Sequence, residues 1–575
     1  MVIKIRIFAV IVVLLANLSQ TISQNNLLQN SIINLKEKNH LVSLDYNKYL
    51  DQAKSIDHRS PLFIDITILG ENYQFKAIPN FLTDDEFSRS YPGIYSFDIQ
   101  CDKHKHIAGA LTLSSSGMYF TLKSHGKIIT IYPAGDKADK NEHVIDFGNT
   151  ETQNPSRFCT ADHPAHGIKN SFFKPVSGAR SDISIGERLY NYRLAVVVTG
   201  EFYKSNGNND TEVLSVIINS VNSLNVIYNS ELSFRFSLGN RIFLYKDAAT
   251  DPFTPDMAGG EDRTTQAGKI IPTLINKDNF DIGHVFHTHK DGDSWTTGGI
   301  AFYNGVCSNS NIGTQSIKAS GWSGYYINTG SFWANLLAHE VGHQFSATHT
   351  FNGSGTNCDN NIDLATAVEI GSGSTIMSYF GACETAQNIP WNGAVDNYFH
   401  SISLEQMYKF VYEGNGGGCG NPQINANKIP QVIANSCNAN LKIPKNTPFY
   451  LKAKGSWTDD DKHTYCWEQI DEDGSGIKPT QGQIGNAAAN SLKSPLFRSF
   501  PPSKEPYRFF PSMDVLNSPG GFSSFEVLPA IKRELNFNVS IRDNNINGGA
   551  ISNDELTIQV DDSGPFKITK PIGGE

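Results

Sequence analysis

The chain has 575 residues and a net charge of −10, too long for one core, so about three folded units are expected. Acidic and basic residues are mixed along it, leaving no basic face for nucleic acid and no argument for a charged partner. Its eight cysteines suit an oxidising compartment if the chain is exported.

The first 24 residues open with Lys4 and Arg6, run apolar from Ile7 to Ala16, and end in small and polar residues around Ser19 and Ser23. That is the pattern of a signal peptide. The apolar run is about half of the roughly 20 residues that span a bilayer. No later stretch is long enough to span, so the mature chain is expected outside the cell without an integral membrane segment. Residues 25–187 hold strand-like runs, such as 119–122 and 127–132, between polar turns.

Asn209 offers an N-cap, and Val213, Leu214, Ile217, Ile218, Val221, Leu224 and Ile227 recur at helical spacing through about Ser230. Strands are predicted near 233–238, 241–245 and 282–287. The last carries His284, and His287 and His289 follow at alternate positions. Strand alternation turns His287 and His289 to one face and His284 to the other, which argues against three-fold metal ligation. Gly298 and Gly299 lead into a short apolar run, Ile300 and Ala301. A helix begins near Gly330 or Ser331, capped by Thr329 or Ser331, with Leu336, Leu337 and Val341 directed to the core.

That helix holds the most informative residues of the chain. His339 and His343 are four apart and project from one helical face, so both rings can reach one ion. Glu340 stands beside such an ion rather than on it, placed to take a proton from water and pass it to a leaving amine. His349 lies six residues beyond His343, so the chain must turn between Phe345 and Thr348 to bring it round. Three protein ligands leave one zinc position open, as catalysis requires.

The run from His339 to His349, followed by Met377 in Ser374, Thr375, Ile376, Met377, Ser378 and Tyr379, resembles the long zinc signature and Met-turn of the metzincin peptidases. Flanking phrases at 192–201, 351–353, 371–374 and 398–406 are similar to the secreted reprolysin-like branch. The resemblance implies an α/β catalytic domain over 188–420, a mixed sheet plus the zinc-binding helix. It implies a β-rich propeptide over 25–187 and one zinc per chain held by His339, His343 and His349, with protein or peptide substrates. It also implies Met377 as an apolar floor under the ligands and Tyr379 where astacin-like and serralysin-like members bring a tyrosine to the metal or the oxyanion. Gly299, Ile300 and Ala301 would be the edge strand that pairs with an extended substrate. Where the family has a glycine this chain has Ser346, and a serine at positive φ costs ~1 kcal/mol. Propeptides of this kind can fill the open zinc position with a thiolate, for which Cys159 is the nearer candidate; the alternative is a Cys101–Cys159 disulfide.

Within the catalytic segment the favoured cysteine pairs are Cys358 with Cys383 and Cys307 with Cys419. Cys437 and Cys466 remain for the C-terminal region, where Cys466 beside Trp467 suits an aromatic packed on a disulfide. After the glycine-rich boundary at 414–420, alternating runs at 449–453, 464–469, 535–541 and 556–560 predict a β-sandwich over 421–562. It resembles an immunoglobulin-like or polycystic-kidney-disease-like module. Asp459, Asp460 and Asp461 offer carboxylates to calcium but read more simply as a solvated turn. Residues 563–575 read as the truncated start of a further domain. Two function classes follow: a secreted zinc endopeptidase, and an adhesion protein with a non-catalytic zinc site. Glu340 favours the first, because a structural site needs no carboxylate beside the ion and would supply a fourth ligand.

Overall fold

The computed structural model describes residues 40–55, 60–68, 70–80, 82–134, 140–147, 182–253, 262–289, 298–355, 357–390, 396–434, 440–457, 463–472 and 481–567. The signal segment, Cys159, Cys437, the acidic run at 459–461 and the last residues of the tail lie outside them.

The N-terminal segment forms an antiparallel sheet from β1 (His40–Ser43), β2 (Leu62–Ile68), β3 (Glu71–Pro79), β4 (Tyr95–Cys101), β5 (Ile107–Ser114), β6 (Gly117–Ser124), β7 (Lys127–Pro133) and β8 (Glu142–Asp146). Strands β2 to β8 follow one another as a meander and β1 closes against β8. Period-two alternation sends Leu111, Leu113, Phe120 and Leu122 into a core on one face, beneath the helix α1 (Tyr46–Ser55). The opposite positions, Thr112, Ser114, Thr121 and Lys123, are polar yet buried as well.

What buries them is a helix of the central segment. That segment is built on β10 (Arg188–Val198), which follows the short β9 (Ser184–Ile185). Beside β10 run three parallel strands, β11 (Phe234–Ser237), β12 (Ile242–Leu244) and β13 (Ile282–His287). The order then continues through β14 (Gly299–Ala301) and β15 (Gly321–Gly324): β15 is parallel to β13, and β14 is antiparallel to β15 at the edge. Helix α2 (Asp210–Leu232), capped by Asn209 through Glu212 N–H at 3.0 Å, packs Val213, Ile217, Val221 and Leu224 into the central core. Its other face meets the N-terminal sheet through hydrogen bonds: Ser215 to Ser114 at 2.7 Å, Asn222 to Thr112 at 3.0 Å, and Ser223 with Thr121 at 2.7 Å. Helices α3 (Arg263–Leu274), α4 (Gly330–Gln344) and α5 (Ser401–Tyr408) complete the segment.

The C-terminal module has a sheet of β16 (Leu441–Pro444), β17 (Thr464–Gln469), β18 (Arg533–Arg542) and β19 (Ile551–Asp561), in the order β16-β19-β18-β17. Trp467, Leu535, Phe537 and Val539 fill its core. Strand β9 adds to this sheet by pairing Ile185 with Ile551, and Asn553 Oδ1 accepts from Ile183 N–H at 2.7 Å. The residues just ahead of β10 are thus held by the far end of the chain.

The three segments meet at one buried carboxylate. Glu231, near the end of α2, takes Lys123 of the N-terminal sheet at 2.7 Å and Arg542 of β18 at 3.0 Å, and all three side chains are at most 2% exposed. Burial alone would push Glu231 up, but Arg542 and Lys123 hold it below the ordinary carboxylate value.

Both favoured disulfides, Cys307–Cys419 and Cys358–Cys383, are formed. Among the described residues Cys101 is a buried free thiol in the N-terminal core, and Cys466 is a buried free thiol that donates to Phe500 O at 3.4 Å; the partners considered for them, Cys159 and Cys437, lie outside the described residues. In apolar surroundings a cysteine serves as a small hydrophobic side chain, and an even count does not reveal that. Among the described residues no helix is long and apolar enough to cross a membrane.

Candidate metal centre and active site

Helix α4 carries His339, Glu340 and His343 within the core, where Leu336, Leu337 and Val341 anchor it. Its N-terminus is held differently from the predicted cap. Thr329 occupies the N-cap position without a side-chain bond, and Asp146 of the N-terminal sheet accepts instead from Ser331 N–H at 2.9 Å and Ser331 Oγ–H at 2.8 Å. A carboxylate at this end both satisfies an orphan donor and opposes the helix dipole.

The helix ends at Phe345, and Ser346 takes φ 81°, the left-handed conformation that the missing glycine would supply freely. The turn is closed by Ala347 N–H to Gly342 O at 3.0 Å, and it swings His349 back to the other two histidines. Ser346 is fully buried, and its hydroxyl has no hydrogen-bond partner among the described residues. Replacing Ser346 by glycine is therefore expected to keep zinc binding and raise stability by roughly 1 kcal/mol, from relieved φ strain and a removed buried hydroxyl. Thermal melting and zinc content of the variant check this; a fall in either would show that Ser346 makes a contact of its own.

The metal-facing nitrogens of His339, His343 and His349 lie within 4.8 Å of one another, and among the described residues no other trio of His, Cys, Asp or Glu is so placed. Each ring is oriented by a backbone carbonyl. His339 Nδ1–H donates to Ile376 O at 2.6 Å, His343 Nδ1–H to Ala347 O at 2.7 Å, and His349 Nδ1–H to Asn361 O at 2.6 Å. These bonds fix the tautomer, so each Nε2 turns its lone pair to the common point. Burial also pushes His339 down to about 4, which keeps its ring neutral at pH 7. The donor set fits zinc: two nitrogens on one tetrahedral ion at ~2.0–2.1 Å stand about 3.3 Å apart, and His339 Nε2 and His343 Nε2 are 3.1 Å apart.

Glu340 is fully buried on the helix beside the triad. Strand β14 crosses directly over it. A Cβ at Gly299 would stand 2.5 Å from Glu340 Cγ, so only glycine lets this strand approach the carboxylate. Ile300 and Ala301 continue the strand against Trp322 and Gly321, and among the described residues β14 pairs only with β15.

Met377 is buried beneath the helix, where a Cβ on Gly342 would meet its sulfur at 2.6 Å. The turn that carries Met377 also supplies the Ile376 carbonyl to His339, so this turn both supports and orients the ligand. Tyr379 lies with its ring centroid 4.5 Å from that of His349 and 4.4 Å from that of Phe351. The sequence-predicted residues His339, Glu340, His343, His349, Met377, Tyr379 and Gly299 are therefore brought to one place.

The rival histidines are elsewhere. Gln344 Oε1 lies 2.9 Å from His284 Nδ1 and Ser323 Oγ 2.9 Å from its Nε2, so both ring nitrogens are committed. His287 Nδ1 meets Thr199 Oγ1 at 2.9 Å, on the other face of the strand, and His289 lies past its end. Sequence reading missed Tyr303, whose ring stands edge-on to His343 at 5.2 Å, and Asn361, which acts through its carbonyl. A backbone acceptor has no side-chain signature to find.

Residues 189–404 match the family model described as metallo-peptidase family M12B, reprolysin-like. No curated protein matches the chain.

Proposed function

Starting from a chain whose residues 189–404 match the model of the reprolysin-like metallopeptidases of family M12B, we propose that the protein is a secreted zinc endopeptidase made as a precursor. The observation that carries this reading is the triad itself: three imidazoles with every Nδ1 committed to a carbonyl and Glu340 next to them in the helix. His339, His343 and His349 would hold zinc through Nε2. When bound, zinc polarises the scissile carbonyl and acidifies water. Glu340 takes the proton of the attacking water and returns it to the leaving amine. Gly299, Ile300 and Ala301 line the substrate backbone through the strand's hydrogen-bonding groups, and Tyr379, beside His349, is placed to approach the carbonyl oxygen.

The N-terminal sheet is the propeptide in this reading. Cys159, which lies outside the described residues, is the thiolate that silences the precursor in this reading. Because Ile183 and β9 are bonded into the C-terminal sheet, the activating cut belongs upstream of Asp182. The C-terminal immunoglobulin-like or polycystic-kidney-disease-like module supplies no catalytic group. In the alternative, an adhesion protein with a non-catalytic zinc, Glu340 and the glycine that makes room for it would have no task.

Metal analysis tests the site. The mature protein is expected to carry about one zinc per chain, lost on replacing His339, His343 or His349 by alanine. Full occupancy in the His349 variant would show that the third ligand has been misassigned.

A further inference from the structure

We propose that Glu369 is the positioning residue that locks the turn carrying Met377 to the segment leaving the third histidine, and thereby sets the geometry of the metal site. The proposal rests on the zinc reading above. Glu369 is 1% exposed and lies in the loop between His349 and Met377. One carboxylate oxygen accepts from Thr350 Oγ–H at 2.6 Å and from the Thr375 hydroxyl; the other accepts from Ser374 N–H at 2.8 Å and Thr375 N–H at 3.2 Å. A carboxylate offers acceptors only, at about four lone-pair positions, and here four donors converge on it.

The main chain repeats the connection. Glu369 N–H donates to Thr350 O and Glu369 O accepts from Asn352 N–H, both at 2.8 Å. The side chain of Glu369 thus joins both segments, and its main chain adds a second link to the segment after His349. Each segment is one step from a histidine: Thr350 follows His349, and Thr375 precedes Ile376, whose carbonyl holds His339 Nδ1–H at 2.6 Å. Thr350 N–H also donates to Met377 O at 3.1 Å. Freeing the Glu369 carboxylate would let the Ile376 carbonyl move relative to His339, loosening the ring that a metal needs fixed.

The variants Glu369→Ala and Glu369→Gln separate this role from a general contribution to folding. Alanine removes all four acceptor contacts. Glutamine keeps an oxygen for the two backbone N–H groups and turns its NH2 to the threonine hydroxyls, which can accept as well as donate. Zinc affinity by chelator competition, the visible spectrum of the cobalt-substituted protein and melting of the metal-free form are measured for each. Glu369→Ala is expected to bind zinc about 10- to 100-fold more weakly with an altered cobalt spectrum, and Glu369→Gln to stay within roughly threefold of wild type, well inside that range.

An alanine variant that melts lower but keeps wild-type zinc affinity and cobalt spectrum overturns the proposal, because its role would then be structural only. If the alanine variant does not fold, Thr350→Val and Thr375→Val, each removing one hydroxyl donor, decide the matter. Weaker zinc binding in either supports the proposal, and wild-type affinity and spectrum in both overturn it. Failure of the wild-type protein to bind zinc would instead contradict the reading of the histidine triad.

Discussion

Replacing Glu340 by alanine is expected to abolish peptide hydrolysis while zinc stays bound and the melting temperature is unchanged. Glu340 is fully buried beside the triad, with Gly299 arranged around it, and it is not one of the three residues whose ligand atoms converge. General acid–base catalysis contributes typically ~10²–10⁴-fold. Loss of the base beside the reacting water should reach at least the upper end of that range. The measurement needs zinc content, melting and cleavage rate on one preparation. Activity within about tenfold of wild type, far inside the expected loss, would sink the assignment of Glu340 even with zinc present.

The second large effect is on stability. Replacing Glu231 by alanine leaves Lys123 and Arg542 facing each other as buried cations, since both now share this carboxylate. Breaking one buried pair costs about 3–5 kcal/mol, and here two are broken at the junction of three segments. The expected result is a precursor that fails to fold or sheds its N-terminal sheet, seen by denaturant melting and size exclusion. Replacing all three residues together with apolar side chains of similar volume should recover much of the loss. A single Glu231→Ala cost below about 1 kcal/mol, the range of an exposed pair, would contradict the junction. The pH dependence follows the same logic. Glu231 is held below its ordinary carboxylate value in the folded chain, so its contribution is complete above roughly pH 4–5. It is lost as pH falls further and the group protonates.

The metal site was legible because its chemistry is written in side chains at fixed spacing. His339 and His343 share a helical face, His349 returns at a fixed offset, and the positive φ of Ser346 was expected where the family has glycine. The helix α2 was legible from its apolar stripe, but its other face was not. Ser215, Asn222 and Ser223 look like solvent-facing residues until the N-terminal sheet covers them. Contacts between residues far apart in the chain were hidden for the same reason. Asp146 caps a helix at Ser331, and Lys123 reaches Glu231; neither pairing has a local pattern. Glu369 was overlooked because its donors come from two separate loops, two of them backbone N–H groups. Cys101 and Cys466 are buried thiols among the described residues, a role that an even cysteine count does not reveal, because buried cysteines also serve as plain core residues.

Whether the triad is the working centre of a zinc endopeptidase is decided by peptide-library cleavage with the purified mature form, before and after chelation and after zinc is restored. Cleavage is expected to disappear when zinc is removed from His339, His343 and His349 and to return in proportion to zinc occupancy. Fully zinc-loaded protein that cleaves no peptide in the pool, or cleavage that survives complete removal of the metal, would contradict that assignment.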